Sequence, residues 1–466
     1  MQLKQLNLKN FRCYQDLSLT FHPKLTVLVA INGEGKTTIL DALRIGFWPF
    51  VSQFDLARTA YNDPANTLTL DDVRIVQMNE NADQFQAMNQ MQRQLPSQVQ
   101  LECGVNNRAY EWARIRKSEA RNSQTLEGEG CKKIKDLAKA LQEKIRDPQA
   151  SLQNLPLFGY YGTGRLWSHK RVTSSKKAGE DISKNIRTFA YQDCLDPASS
   201  FRQFEEWFSH IFKVAREQQI KALEQDKSLR LEDTSAYQLI QVVQTTVNHI
   251  LEPLGWHSLA YSEQLDQSLI LQHPKQGVLK VSQLSDGIKN MLGMVADIAY
   301  RCVLLNSHLG LQAAEQTSGV IMIDEVDMHL HPQWQQSVLS SLIKAFPNLQ
   351  FVVTTHSPQV LTSVASESIR IFKDGKVFSA PKGSQGAEAS RLLTRIFGVA
   401  TRPPLEENTQ KLEKYAQLVY EDNWQTEAAL KLRKELDNIF GNEEPKLTEL
   451  DLYIENRKWE LSLEED

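Results

Sequence analysis

A glycine-rich segment that carries a lysine and two threonines is the clearest candidate for chemistry in this sequence. It consists of Asn32, Gly33, Glu34, Gly35, Lys36, Thr37 and Thr38, and it follows the apolar run 25–29. The glycines allow a tight turn whose N–H groups point into one concavity. Lys36 would reach the outer phosphates of a nucleotide, and the Thr37 hydroxyl would ligate Mg²⁺. The segment therefore predicts a phosphate-binding loop, although Ala30 stands where the usual pattern has its first glycine. The alternative is a strand-to-helix turn with a solvated lysine.

Two adjacent carboxylates follow a second apolar run. Asp324 and Glu325 come directly after 320–323, which has the composition of a buried strand. A parallel strand delivers its last residues to the carboxyl edge of its sheet, beside a phosphate-binding loop. Asp324 would hold Mg²⁺ through water, while Glu325 would orient and deprotonate the attacking water.

Two shorter segments have the residue types that complete a nucleotide site. His356 ends another apolar strand, where it could contact a γ-phosphate or merely cap a turn. Ser285 and Gly287 belong to the motif Leu-Ser-Asp-Gly at the start of a predicted helix. Such a helix end can bind an anion through its N–H groups and a hydroxyl, and it needs no lysine to do so. Taken alone, it is also an ordinary helix cap.

Composition excludes several classes of protein. The chain has 466 residues, 41% of them hydrophobic and 24% charged, with a net charge of −4. This balance predicts a soluble globular protein without a general attraction for nucleic acid. The cysteines form no C-x-x-C pair, which favours reduced thiols. Because the sequence has neither a bilayer-length apolar run nor a signal-like N-terminus, we expect a cytoplasmic protein without membrane contact.

Periodicity predicts the elements that must position these residues. Alternation in the first 30 residues predicts a strand pair before the strand of the phosphate-binding loop. Apolar spacing predicts helices at 37–47, 199–225, 236–252, 284–305 and 332–346, and strands at 257–262, 267–272, 278–282, 320–323 and 350–354. The C-terminal part is predicted to be helical, with Gly441 as a helix cap.

The order of these motifs resembles the ABC-type ATPase head. The resemblance implies an α/β fold, namely a P-loop ABC-ATPase head with a mainly helical insertion and a helical C-terminal region. The expected parts are an N-terminal lobe at 1–115, an insertion at 116–280, a C-terminal lobe at 281–380, and a helical, partner-docking region at 381–466. It also implies ATP and Mg²⁺ as cofactors. In that family the L-S-x-G helix of one subunit covers the γ-phosphate held by another, so we expect a homo-dimer or higher homo-oligomer through the heads.

Other stretches narrow the resemblance. Arg12, in Asn10-Phe11-Arg12, and the segment 324–332 are similar to the RecF/SMC/OLD-type group, which implies that Arg12 lies near the nucleotide. A plain strand-edge arginine is the open alternative. His331 stands where many members carry an aspartate. The stretch 158–167, together with Ile396-Phe397-Gly398-Val399 before Arg402-Pro403, resembles PtuA-type ATPases of Septu and retron-associated anti-phage systems. Such ATPases are typically paired with a separate HNH-type nuclease subunit, similar to PtuB.

Basic residues cluster in two polar segments that could contact DNA or simply form solvated faces. The first comprises Arg114, Arg116, Lys117, Arg121, Lys132, Lys133 and Lys135, and the second comprises His169, Lys170, Arg171, Lys176 and Lys177.

The leading functional hypothesis is an ATPase subunit, hydrolysing ATP to ADP and phosphate or mainly sensing ATP, whose head dimerisation regulates a nuclease partner. This sequence contains no HNH-like constellation of its own. A second hypothesis is a RecF-like DNA-repair ATPase that binds DNA ends or gaps. A third, a free-standing metabolic ATPase, is disfavoured because the L-S-x-G helix makes catalysis depend on a second subunit.

Overall fold

The computed structural model describes residues 1–30, 33–57, 64–77, 91–120, 123–165, 186–197, 201–225 and 228–464. They form two compact units, Met1–Leu392 and Leu393–Asp466. The strands are β1 (Gln2–Phe11), β2 (Tyr14–Thr20), β3 (Leu25–Ala30), β4 (Ile75–Gln77), β5 (Met91–Arg93), β6 (Ser97–Val105), β7 (Arg108–Arg116), β8 (Leu126–Glu127), β9 (Leu157–Tyr161), β10 (His257–Ser262), β11 (Ser268–His273), β12 (Gly277–Lys280), β13 (Gly319–Ile323), β14 (Leu349–Thr355), β15 (Ile369–Lys373) and β16 (Lys376–Ser379). The α-helices are α1 (Lys36–Val51), α2 (Cys131–Arg146), α3 (Phe201–Glu224), α4 (Ser235–Leu251), α5 (Asp286–Leu305), α6 (Ala313–Gln316), α7 (Pro332–Gln335), α8 (Val338–Ala345), α9 (Pro358–Leu361), α10 (Ala389–Phe397), α11 (Glu407–Tyr420), α12 (Glu427–Phe440) and α13 (Pro445–Glu464).

A six-stranded sheet forms the core of the first unit. Its order is β16-β15-β3-β14-β13-β9, and only the pairing of β15 with β16 is antiparallel. Every residue of β3, β9, β13 and β14 is buried, as in a parallel sheet that is covered on both faces. In this register Ile323 lies opposite Val353, and Thr355 lies opposite Val29. The carboxyl ends of these strands therefore meet at one edge.

An antiparallel sheet in the order β2-β1-β6-β7-β8 holds the helix that follows the glycine-rich loop. Its first two strands confirm the predicted strand pair. The indole nitrogen of Trp112 donates to the carbonyl oxygen of Gly46 at 2.7 Å. A Cβ atom on Gly46 would lie only 2.6 Å from the Leu101 side chain, so α1 approaches this sheet closely because position 46 is glycine.

Most predicted helices and strands of the middle region are confirmed, including α3, α4 and the three-stranded sheet β10-β11-β12. The single helix predicted over 332–346 is wrong, because α7 and α8 are separate. At the break, the N–H of Ser337 donates to the Trp334 carbonyl at 3.0 Å, and the Ser337 hydroxyl lies 3.3 Å from the same oxygen. These short-range bonds compete with the helical i→i−4 pattern.

The second unit is helical, as predicted, and has its own apolar core. That core consists of Leu412, Tyr415, Val419, Trp424, Ala429, Leu436, Leu447 and Leu450. Gly441 follows α12 with φ of 71°, in agreement with the predicted glycine cap. Among the residues described, no helix is both long enough and apolar enough to cross a bilayer.

Candidate nucleotide site

The structure brings three of the predicted motifs together around one cavity of about 300 Å³. Its described lining consists of Gly33, Gly35, Lys36, Thr37, Thr38, Asp324, Glu325 and His356. The loop between β3 and α1 forms one side, and the ends of β13 and β14 supply the acidic residues and the histidine. Asn32 lies outside the described residues.

The backbone conformation favours glycine at both positions of the loop, and at Gly35 the available space requires it as well. Gly33 and Gly35 have φ of 91° and 84°, a region that side chains disfavour. A Cβ atom on Gly35 would also lie 2.6 Å from the Cys13 sulfur and 2.7 Å from the Tyr14 hydroxyl oxygen. That hydroxyl donates to the carbonyl oxygen of Glu34 at 2.8 Å, so it helps to hold the loop in this conformation.

Lys36 places a buried ammonium group at this loop. Its Nζ donates to the carbonyl oxygen of Ala30 at 3.0 Å. Burial lowers the pKa of Lys36, and the nearby carboxylates of Asp324 and Glu325 oppose that shift. Phosphate oxygens in the cavity would add further negative charge and thus favour the protonated lysine.

The carboxylate of Asp324 accepts hydrogen bonds from two threonine hydroxyls. Its Oδ2 accepts from the Thr37 hydroxyl at 3.0 Å, and its Oδ1 accepts from the Thr354 hydroxyl at 2.5 Å. These are hard oxygen donors, which Mg²⁺ prefers, and Mg²⁺ usually takes few protein ligands together with phosphates and water. The donor set therefore fits Mg²⁺. Within the described ranges, no group of three or more His, Cys, Asp or Glu residues is arranged to hold a metal ion.

Glu325 lines the cavity in an unusual backbone conformation. Its φ is 46°, in the left-handed region, and its N–H donates to the Thr354 hydroxyl oxygen at 2.8 Å. Thr354 thus fixes both acidic residues at once. Thr354 was not predicted from the sequence, because its contacts depend on β14 lying beside β13.

The surroundings of His356 favour its neutral form. Burial lowers its pKa below the ordinary value, and the positive charge of Lys36 acts in the same direction. A neutral imidazole at this position can donate one hydrogen bond to a phosphate oxygen and accept another.

The Leu-Ser-Asp-Gly motif is absent from the described lining of this cavity. Ser285 is the N-cap residue of α5, but its exposed side chain makes no capping hydrogen bond. Gly287 packs against the turn after β13, because a Cβ atom there would lie 2.3 Å from the carbonyl oxygen of His329. The exposed Ser285 hydroxyl therefore does not cap its own helix.

Arg12 is also absent from the described lining. Its guanidinium group forms ion pairs with Asp41 at 2.6 Å and with Asp72 at 2.8 Å. This geometry ties the end of β1 to α1, and the expected position of Arg12 near the nucleotide stays a prediction. His331, the residue at the family's aspartate position, is the N-cap of α7 and accepts from the Gln333 N–H at 3.3 Å.

Two arginines of the first basic segment do not lie on the surface. Arg114 and Arg116 are 6% and 7% exposed, and they donate to the carbonyl oxygens of Ile45 and Leu68 at 3.0 and 2.9 Å. Their side chains point from β7 toward the interior, so their assignment to a DNA-facing surface is wrong. Lys132 and Lys133 are exposed, whereas Lys135 forms an ion pair with Glu127. Arg121 and the whole second basic segment lie outside the described residues.

Comparisons with known proteins agree with this geometry. The model of the AAA ATPase domain family matches residues 1–361. Retron Ec83 probable ATPase from Escherichia coli is 30% identical, over 100% of this chain and 89% of its own. Retron Vc95 probable ATPase from Vibrio cholerae is 26% identical over 90% and 84%, respectively. Septu protein PtuA from Bacillus mycoides is 31% identical over 28% of this chain and 18% of its own. The predicted α/β P-loop fold and the resemblance to retron and Septu ATPases are confirmed.

Proposed function

The chain belongs to the AAA ATPase domain family, and from this premise we propose that it binds Mg²⁺ and ATP in the cavity between the glycine-rich loop and the core sheet. The contact that carries the proposal is the 3.0 Å hydrogen bond from the Thr37 hydroxyl to Asp324. Residues far apart in the sequence thereby form one hard-oxygen site beside Lys36. Thr37 and Asp324 would hold Mg²⁺, which neutralises charge on the phosphate oxygens.

Hydrolysis of the bound ATP would depend on Glu325. Its carboxylate lines the cavity, and its backbone is fixed by Thr354, so it can accept a proton from an attacking water. Neutral His356 would donate a hydrogen bond to the terminal phosphate. The rate of ATP hydrolysis would then depend on how Glu325 is oriented toward the attacking water when ATP occupies the cavity.

The complete site would include a second copy of this chain. Ser285 is exposed and its side chain makes no capping bond, while the N-terminal end of α5 carries a positive partial charge. We propose that this helix end covers the γ-phosphate held by a partner copy, so that ATP binding and homo-dimerisation are coupled.

The biological role that we propose is anti-phage defence. The support is similarity to proteins named as retron probable ATPases and as Septu PtuA. We propose that ATP-dependent dimerisation of the heads regulates a separate HNH-type nuclease subunit, with DNA as the expected target of the complex. The RecF-like alternative gains no specific support from the geometry.

The proposed ATP site is tested by binding and turnover measured together. Lys36→Ala should abolish binding of ATP with Mg²⁺ in calorimetric titration, because the loop loses its only lysine. Glu325→Gln should bind ATP like the parent and release no phosphate. Lys139→Ala, an exposed lysine on α2, is the matched control and should behave like the parent. Phosphate release by Glu325→Gln at the parental rate would show that Glu325 is not the base.

The nuclease partnership needs a separate experiment. The chain is co-expressed with the protein encoded by the neighbouring reading frame, which we expect to be an HNH-type nuclease, and the two are purified through a tag on one of them. We expect copurification and nuclease activity that differs between the parent and Lys36→Ala. A solitary chain that confers full defence without the nuclease would contradict the proposal.

A further inference from the structure

A second cavity lies at the opposite, amino edge of the core sheet. It has a volume of about 520 Å³ and is lined by the starts of β13 and β14, by the residues just before β3, and by the turn between β6 and β7. The strands β3, β9, β13 and β14 of the core sheet contain five to seven residues, so this cavity lies about 20 Å from the ATP cavity. None of the functions described above uses it.

The charged side chains in the described lining of this cavity are all positive. Lys4, Lys24 and Arg108 line it, and none of its described lining residues carries a carboxylate. This concentration of positive charge contrasts with the net charge of −4 for the whole chain. A cleft lined by one sign of charge attracts counter-ions into it.

Within the part of the chain that the structure describes, only one of the three cationic side chains has a carboxylate partner. The Lys4 ammonium lies 3.6 Å from Glu102 in a half-exposed pair, which screening by water weakens. The Lys24 ammonium donates to the carbonyl oxygen of Pro347, a neutral group. Among the described residues, the Arg108 side chain has no hydrogen-bond or ion-pair partner. These groups are therefore available to a bound anion.

A hairpin turn and a pair of hydrogen bonds build the two walls of the cavity. Asn106 and Asn107 have φ of 48° and 62°, which is the two-residue turn that matches the twist of a hairpin, and the turn places Arg108 at the rim. On the opposite side, the buried amide of Gln350 bonds both the N–H and the carbonyl of Leu3 at 2.8 Å. Both walls are thus held by backbone contacts.

We propose that this amino-edge cavity binds phosphate groups. Arginine presents a fork of donors that matches phosphate oxygens, and lysine adds point charge. The described lining contains amides but no aromatic side chain on which a base could stack. Recognition would therefore be directed at phosphate itself, either as a small polyphosphate or as the backbone of duplex nucleic acid.

The test uses Lys36→Ala as the background, so that phosphate binding at the ATP cavity is removed. Pyrophosphate is titrated calorimetrically, and a labelled DNA duplex is titrated by fluorescence anisotropy. We expect at least one probe to bind, and the additional changes Lys24→Ala and Arg108→Ala to weaken its binding at least tenfold. The probe that binds identifies the source of the phosphate.

Exposed lysines elsewhere provide the matched control. Lys139→Ala with Lys144→Ala on α2 removes the same charge and should leave both titrations unchanged. The proposal is overturned if neither probe binds the Lys36→Ala protein, or if the control pair weakens binding as much as the cavity pair. In an otherwise parental chain, the cavity pair should leave ATP binding intact, so failure here is distinguishable from failure of the ATP site.

Discussion

At the scale of single residues, the ATP site depends on hydroxyl groups as much as on carboxylates. Thr37 and Thr354 contact the two oxygens of Asp324 from opposite sides. Thr354 also accepts the N–H of Glu325, whose left-handed backbone needs an external contact to persist. The orientation of the acidic pair is therefore set by a threonine on the neighbouring strand.

Replacing that threonine tests this role. Thr354→Val keeps the shape of the side chain but removes its bonds to Asp324 and Glu325. We expect a loss of about 1–3 kcal/mol in the free energy of unfolding, since buried groups lose their partner, and a weaker dependence of ATP binding on Mg²⁺. Urea unfolding and titrations at several Mg²⁺ concentrations measure the two effects.

The next threonine supplies the control. Thr355 is also fully buried, and it donates to Asp327 at 2.6 Å rather than to Asp324. Thr355→Val should therefore lower stability to a similar extent while it leaves the Mg²⁺ dependence unchanged. An equal effect of both substitutions on Mg²⁺ dependence would contradict the specific role of Thr354.

The sequence was sufficient to predict the residues that line the cavity, because each one follows an apolar strand at a parallel-sheet edge. Gly35, Asp324 and His356 could be found in this way. Tyr14 and Thr354 could not, since their contacts depend on which strands lie side by side. The same limitation explains the error at Arg114. A run of basic residues in the sequence does not show which of their side chains point into the interior of the fold.

At the scale of elements, α1 is fixed to the antiparallel sheet by buried donors. Arg114 donates to the carbonyl oxygens of Ile45 and Asn66, and Trp112 donates to that of Gly46. Burial lowers the pKa of Arg114 to about 10, so it stays charged at neutral pH. The arginine therefore holds the helix whose first turn carries Lys36 and Thr37.

We expect Arg114→Ala to destabilise the fold by about 2–3 kcal/mol, because charged hydrogen bonds are lost and two carbonyl groups lose a partner. Lys117→Ala, at an exposed position in the same basic segment, should change stability by no more than about 0.5 kcal/mol. Chemical unfolding of both variants measures the difference. Equal, small effects would mean that Arg114 is not structurally engaged.

A second buried network joins α5 to β9. Asp297 and Arg301 form an ion pair at 2.8 Å with almost no exposure, and the Tyr161 hydroxyl donates to the same carboxylate oxygen at 2.8 Å. The carbonyl of Tyr161 accepts the N–H of Asp324 at 2.8 Å. The helix that begins with the Leu-Ser-Asp-Gly motif is thereby connected to the strand end that carries the acidic pair.

Two substitutions test this network, because they are expected to lower the free energy of unfolding by different amounts. Asp297→Asn leaves the Arg301 charge buried without a counter-charge and should cost about 3–5 kcal/mol. Tyr161→Phe removes one neutral donor and should cost about 1–2 kcal/mol. Thermal and urea unfolding give both values. A larger loss for Tyr161→Phe than for Asp297→Asn would show that the ion pair is not the main contact.

At the scale of the whole molecule, the sequence motifs predicted the α/β ATPase head correctly. The structure separates Met1–Leu392 from Leu393–Asp466, and the four expected parts stay a prediction. The boundaries between compact units are difficult to predict from the sequence, because helical periodicity continues across them. The shared site that we propose involves Ser285, which does not line the described cavity of its own chain.

Complementation between two defective variants tests whether the site is shared between copies. Lys36→Ala removes the phosphate-binding lysine, and Ser285→Arg blocks the helix end, so each variant alone should lack ATPase activity. If the site is formed by two copies, half of the dimers in an equimolar mixture are mixed, and each of these contains one intact site. The mixture should therefore recover about a quarter of the parental rate of phosphate release. Parental activity of Ser285→Arg alone, or an inactive mixture in which dimers demonstrably exchange, would place the complete site within a single chain.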